Sequence, residues 1–222
     1  MLNFAANKNA MDAIEHLSKS DPRLAKVIAR IGTLDYQTTS QHTDSFLFLV
    51  REIVGQVISA SSKRIIWDRL ERLCDGDISP NKISSLSTEQ LRNIGLSYSK
   101  CSYILNLAKK VSDGDIKLDT LINLPDDEVI DYLISIKGIG FWTAKMYLLF
   151  YLGREDVLPY EDGAFLQAYK WLYNTSNTKP VSIIRKCKKW KPYTSIGARF
   201  MYRALDTGLT KIPIKVFLEN TK

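Results

Sequence analysis

Apolar residues recur along almost the whole chain at the spacing of one helix face, and almost nowhere in strict alternation. Residues 99–111 show the pattern plainly, with Cys101, Ile104, Leu105, Ala108 and Val111 on one face. Such periodicity predicts an all-α fold. Local start signals agree with it. Asp21-Pro22 reads as a cap followed by a proline at the first helical position, opening a helix through Ile31. Pro125-Asp126-Asp127-Glu128 has the proline and acidic first turn of a helix that runs to about Ile136. Segments 45–59, 60–73, 162–173 and 194–207 read as further helices, 174–180 as the clearest loop, and 212–217 as a short extended tail.

With 222 residues the chain has room for one large domain or two small lobes. It contains no Gly/Ser/Pro-rich linker and no repeat, so residues 1–222 read as a single domain of two helical lobes facing across a cleft. There is no apolar run of about 18 residues and no apolar secretory core at the start, so an intracellular protein without a membrane span is expected. The formal charge of +7 fits a polyanion partner without identifying one. Cys74, Cys101 and Cys187 match no zinc or iron–sulfur spacing, and Cys101 suits a buried apolar place. His16 and His42 are isolated and read as surface or capping residues. No disulfide, metal cluster or organic cofactor is expected.

The most informative stretch joins two of the helical patterns within residues 126–152. Lys137, Gly138, Ile139 and Gly140 form the turn, and a new helix begins near Phe141. Glycines let the chain turn tightly and approach another surface closely. The first turn of the following helix then offers backbone N–H groups and a positive dipole end, a natural match for a phosphate. The alternative is a plain helical corner in which the glycines only satisfy geometry. After a break at Gly153-Arg154, the next helix opens on Asp162. That acid reads as an N-cap, a reactive carboxylate, or both.

Four ordered segments resemble the helix-hairpin-helix DNA glycosylases, in the alkylated-base branch typified by 3-methyladenine DNA glycosylase II. Phe48 to Ser59 resembles that family's Ile-x-Gly-Gln-Gln-x-Ser helix, and Leu91 to Ala108 its Leu-Arg-x-x-Gly-Leu-Ser-x-x-Lys-Ala segment. Lys137 to Ala144 resembles Lys-Gly-Ile-Gly-x-Trp-Thr-Ala, and Trp190 to Ser195 the closing Trp-x-Pro-x-Arg-Ser. The founding bacterial enzymes carry an extra N-terminal β-rich domain, and this chain is expected to lack it.

The resemblance implies a monofunctional glycosylase that excises alkylated purines such as 3-methyladenine and 7-methylguanine from double-stranded DNA. Asp162 falls on the essential acid, with Glu161 as the neighbouring candidate. Trp142 stands where strand-cutting relatives carry the Schiff-base lysine, so it implies excision without cleavage of the backbone. Trp142, Tyr202 and Met146 fall on the base pocket, where an aromatic face suits a cationic base. Lys137, Gly138, Ile139, Gly140, Thr143, Gln56, Val57 and Ser59 fall on positions that contact DNA. Val57 matches the helix position from which the family's wedge projects, and reads equally as a core residue. Backbone carbonyls of Ile134, Ile136 and Gly138 are expected to hold a monovalent Na+ or K+ when DNA is bound. A monomer is expected, working with DNA in a prokaryotic cytoplasm or a eukaryotic nucleus.

Two departures stand out: Gln56-Val57 where many relatives have a second glutamine, and Thr194-Ser195 where arginine-serine is common. Arg185, Lys186, Lys188, Lys189 and Lys191 form the densest basic run, which reads first as a solvated face and second as a backbone contact. The competing functions are a hairpin binding module without catalysis and a glycosylase for another lesion.

Overall fold

The structure is a computed structural model that describes residues 2–34 and 44–220, with side chains from residue 10. The described residues form helices and no strand. His42 lies outside them. The chain divides into two units, one of Met1–Thr38 with Gly153–Lys222 and one of Thr39–Leu152.

The second unit begins with α3 (Ser45–Gly55) and α4 (Ala60–Leu73), continues through α5 (Pro80–Ser84), α6 (Thr88–Asn93) and α7 (Tyr98–Ser112), and closes with α8 (Asp126–Ile134) and α9 (Phe141–Met146). A π-helical turn at Tyr147–Tyr151 extends α9. Side-chain oxygens of Asp44, Ser59, Ser79, Ser87 and Ser97 cap the starts of α3 to α7, each satisfying a backbone donor that the helix cannot. Helix α3 packs on α4 and α7. Its Leu49, Val50, Ile53 and Val54 are fully buried, as are Ile104, Leu107 and Ala108 of α7. Each such aliphatic side chain contributes roughly 1.5–3 kcal/mol through apolar burial. Phe48, Tyr147 and Tyr151 add an aromatic cluster, and Tyr147 shares a 2.7 Å hydrogen bond with Ser45.

The first unit combines α1 (Leu2–Ser20) and α2 (Pro22–Ile31) with α10 (Gly163–Tyr173), α11 (Pro180–Cys187), α12 (Thr194–Asp206) and α13 (Ile214–Asn220). Helix α12 packs on α2 and α10 around Leu24, Phe165, Phe200 and Met201.

Two sequence expectations need correction. The expected tail at 212–217 is helical: Pro213 directly precedes α13, and Ile214 and Phe217 are buried at helical spacing. The helix expected over 45–59 stops at Gly55, because the chain turns at Gln56-Val57 so that Ser59 can cap α4.

Candidate active site

In the second unit, α8 ends at Ile134 and the chain reverses through Lys137–Gly140 into α9. Ile139 N–H donates to the Ile136 carbonyl at 3.0 Å, closing the turn, and buries its side chain beneath it. Gly138 has φ +95°, and a Cβ there would stand 2.3 Å from Cγ of Tyr103. Both facts demand glycine. Gly140 differs: its φ is −98°, and a Cβ would meet nothing within 4 Å. The expectation that both glycines serve the turn is therefore corrected, since the fold itself needs only Gly138. Gly140 leaves the start of α9 open to close approach from outside. Lys137 is exposed. Thr143, in the first turn of α9, is buried.

Three of the sequence segments meet at this turn. Gln56 donates its side-chain amide to the Gly138 carbonyl at 2.9 Å. Lys100 donates to the carbonyls of Val54 at 2.9 Å and Gln56 at 2.7 Å, gripping the end of α3. Burial pushes the Lys100 ammonium below its ordinary pKa. Between these anchors Val57 is held at φ +55° with its side chain fully exposed. A β-branched residue in the left-handed region is strained, and strain of this kind collects at functional positions. The core alternative for Val57 is thereby excluded, and the residue sits on a turn after α3 instead of on the helix. Ser59 accepts from Ser62 N–H at 3.1 Å as the cap of α4, and its hydroxyl also bonds Ser61 and Ser62. Trp142 is half-buried on the first turn of α9, and Met146 is buried one turn on.

In the first unit, Asp162 caps α10, with Oδ1 accepting from Phe165 N–H at 2.8 Å. Its side chain is largely buried, whereas Glu161 is exposed. Tyr202 on α12 adjoins it. Burial raises the Tyr202 hydroxyl pKa, and the charge of the Asp162 carboxylate raises it further. The closing segment holds the approach to Asp162. Ser195 donates its N–H to Glu155 O at 2.9 Å, and its Oγ accepts from Val157 N–H at 2.9 Å. Thr194 Oγ1 donates to Asp156 at 2.5 Å, and Lys191 pairs with the same carboxylate at 2.7 Å.

Residues 50–192 match the family model described as HhH-GPD superfamily base excision DNA repair protein. The chain belongs to this superfamily. A solved DNA-3-methyladenine glycosidase from Bacillus halodurans is 30% identical and aligns over 94% of this chain and 96% of that one with a TM-score of 0.78. The 3-methyladenine DNA glycosylase of Schizosaccharomyces pombe, solved with abasic DNA, shares the fold at a TM-score of 0.80 and 24% identity, over 88% of this chain and 97% of that one. A Bacillus subtilis relative is 29% identical over 129 residues, 57% of this chain, and this chain spans 45% of its length. These relatives fall in the alkylated-base branch that the sequence resembles.

Three residues have parts in the structure that the sequence reading did not give them. Lys100 looked like any helix lysine, though its place in the second segment was a signal. Lys145 is buried on α9, its ammonium 4.8 Å from the centre of the Phe141 ring. Asp21, seen only as a cap, is a hub. Its Oδ1 accepts from Arg23 and Leu24 N–H, while Oδ2 accepts from the Tyr173 hydroxyl, from Trp190 Nε1 at 3.0 Å and from Lys189 at 3.0 Å. Burial works to raise the Asp21 pKa, but the bonds from Tyr173, Trp190 and Lys189, with the Lys189 charge, outweigh it and lower the value. Part of the basic run is thus committed to structure. His16 contributes as well, bonding the Lys189 carbonyl at 3.2 Å.

Proposed function

We propose that this protein is a monofunctional DNA glycosylase that removes alkylated purines, 3-methyladenine and 7-methylguanine among them, from duplex DNA. The observation that carries the reading is the buried Asp162 carboxylate, fixed by the Phe165 N–H at the start of α10; the sequence resemblance aligns this residue with the family's essential acid. The superfamily membership and the alkylated-base relatives support it.

The mechanism follows from the residues. Backbone N–H groups of the Gly138–Thr143 turn grip a phosphate, which positions DNA without reading its sequence. The damaged nucleotide leaves the stack, and Val57, held outward by Lys100 and Gln56, fills the gap. By the resemblance, Trp142, Met146 and Tyr202 fall on the positions that receive the base. An alkylated purine already carries positive charge, so an aromatic face attracts it by roughly 0.5–2 kcal/mol.

The bond between C1′ and the base nitrogen then breaks with its electron pair going to the base, which departs neutral. Positive charge develops on the deoxyribose, and the Asp162 carboxylate stabilises it. Asp162 also orients the water that adds to C1′ and accepts its proton. The product is an abasic site. With Trp142 at the Schiff-base position, the strand stays intact.

The carbonyls of Ile134, Ile136 and Gly138 would hold a Na+ or K+ at the hairpin. The Ile136 and Gly138 oxygens accept from Ile139 N–H and the Gln56 amide, and each keeps a second lone pair. Such neutral donors suit a monovalent cation better than a divalent one, which favours carboxylates. The protein works as a monomer with DNA, and no helix among the described residues is long and apolar enough to cross a membrane.

The test is incubation with methylated duplex DNA, followed by separate assays of free base, strand breaks and borohydride-trapped adducts. Release of 3-methyladenine or 7-methylguanine with intact strands and no adduct is expected. Duplex binding without base release would favour the non-catalytic module, and a trapped adduct would contradict the monofunctional assignment.

A further inference from the structure

Helix α10 carries Asp162 at its start and Tyr173 at its end, roughly 16 Å away along the axis. The far end opens onto a cavity of about 490 Å³ that the proposed chemistry does not use. Its wall is assembled from the end of α10, the loop that follows and one side of α11.

Three cations converge there: Arg185, Lys186 and Lys189. No carboxylate lines the cavity. Lys189 is matched by Asp21 at 3.0 Å, but neither Arg185 nor Lys186 has a carboxylate within salt-bridge distance among the described residues. The Tyr173 ring draws the Lys186 and Lys189 ammonium groups together, at 5.1 and 5.6 Å from its centre. Asn177 and Ser182, joined by a 3.2 Å hydrogen bond, supply neutral donors on the same wall. Like charges gathered around a polar hollow repel one another until an anion enters.

We propose that this cavity is a second anion site, which takes a phosphate group together with its attached sugar. The guanidinium fork of Arg185 and the amide and hydroxyl donors match the several oxygens of a phosphate better than a single-atom anion. The volume falls in the range of small-ligand pockets and exceeds what phosphate alone fills. The same chemistry is offered by a backbone phosphodiester of bound DNA and by a free sugar phosphate. The proposal does not depend on Asp162, and base release is not among its readouts.

The experiment uses the full chain, its Arg185→Gln/Lys186→Gln double variant, Ser182→Glu and an exposed control outside the cavity, Lys188→Gln. Lys189 is left alone because it pairs with Asp21. Inorganic phosphate is titrated against each protein at constant ionic strength, and affinity for an undamaged duplex is followed against salt. Saturable phosphate binding, weakened at least tenfold in the double variant and in Ser182→Glu but not in Lys188→Gln, supports the site. If the phosphate comes from DNA, the double variant also flattens the slope of log affinity against log salt by about one to two, more than the control does. An unchanged slope with lost phosphate binding assigns the site to a free ligand. The proposal is overturned if neither readout moves, or if Lys188→Gln matches the cavity variants in both.

Discussion

Asp21 and Asp162 are both buried aspartates that open a helix, yet their surroundings give them different work. Asp21 is held by two backbone N–H groups, a phenol, an indole and an ammonium group, and its pKa is lowered by them. A carboxylate so matched ties α2 to Tyr173 and to the Lys189-Trp190 segment. Asp162 is fixed on Oδ1 by its own helix and adjoins the Tyr202 hydroxyl on α12. The first is an anchor; the second is a rigid carboxylate that we propose as the reactive acid. Burial and capping are shared, so neither feature identifies a reactive acid. The partners brought from distant sequence do.

The sharpest way to break this contrast is Asp21→Asn. Asparagine still caps α2, but the ion pair is lost and Lys189 is left beside a neutral group. Stability should fall on the order of 3 kcal/mol, read as a melting temperature lower by roughly 6–12 °C. Base release per folded molecule, measured well below that temperature, should be unchanged. The same anchor gives a pH dependence. Because folding lowers the Asp21 pKa, its contribution is fully present above the unfolded value of about 3.9 and is lost as pH falls through the folded value. Acid melts should show the Asp21→Asn variant losing less stability over that interval than the wild type does.

A matched pair of tyrosines refines the comparison. Tyr173→Phe removes a hydrogen bond to a buried charge, so stability should fall by about 1.5–3 kcal/mol in denaturant titrations, with base release intact. A pair of glycines probes the hairpin next. Gly138→Ala should cost roughly 1–3 kcal/mol through collision with Tyr103, with left-handed strain added. Gly140→Ala should leave stability within about 0.5 kcal/mol yet weaken duplex binding, because its Cβ would stand in the way of the proposed phosphate contact. The smallest effect is expected for Tyr202→Phe, which keeps the aromatic wall. Its melting temperature should hold, and excision should change by less than about tenfold, roughly 1.4 kcal/mol.

Much of this was legible before any coordinates. The helix over 22–31 and the turn at 137–140 follow from local signals, namely a cap, a proline, a glycine with no alternative, and the helix over 60–73 from its charge-decorated helical pattern. Asp162 as a cap was equally local. What escaped was long-range. Nothing near Asp21 announces Tyr173 or Trp190, 152 and 169 positions away. Nothing near Val57 says that Lys100 grips the strained turn beside it. The tail at 212–217 was misread because isoleucine, valine and phenylalanine favour strands as a composition. Burial of Ile214 and Phe217 at helical spacing, after Pro213, decides for a helix instead.

The most direct test compares wild type, Asp162→Asn and Asp21→Asn in single-turnover release of methylated bases from one duplex substrate, with melting temperatures measured in parallel. Asparagine preserves the cap in both variants, while the charge and the second acceptor oxygen are removed. The account predicts that Asp162→Asn melts like the wild type and loses roughly 10²- to 10⁴-fold in release rate, while Asp21→Asn melts earlier and releases base at the wild-type rate. Wild-type release by the Asp162→Asn variant would contradict it.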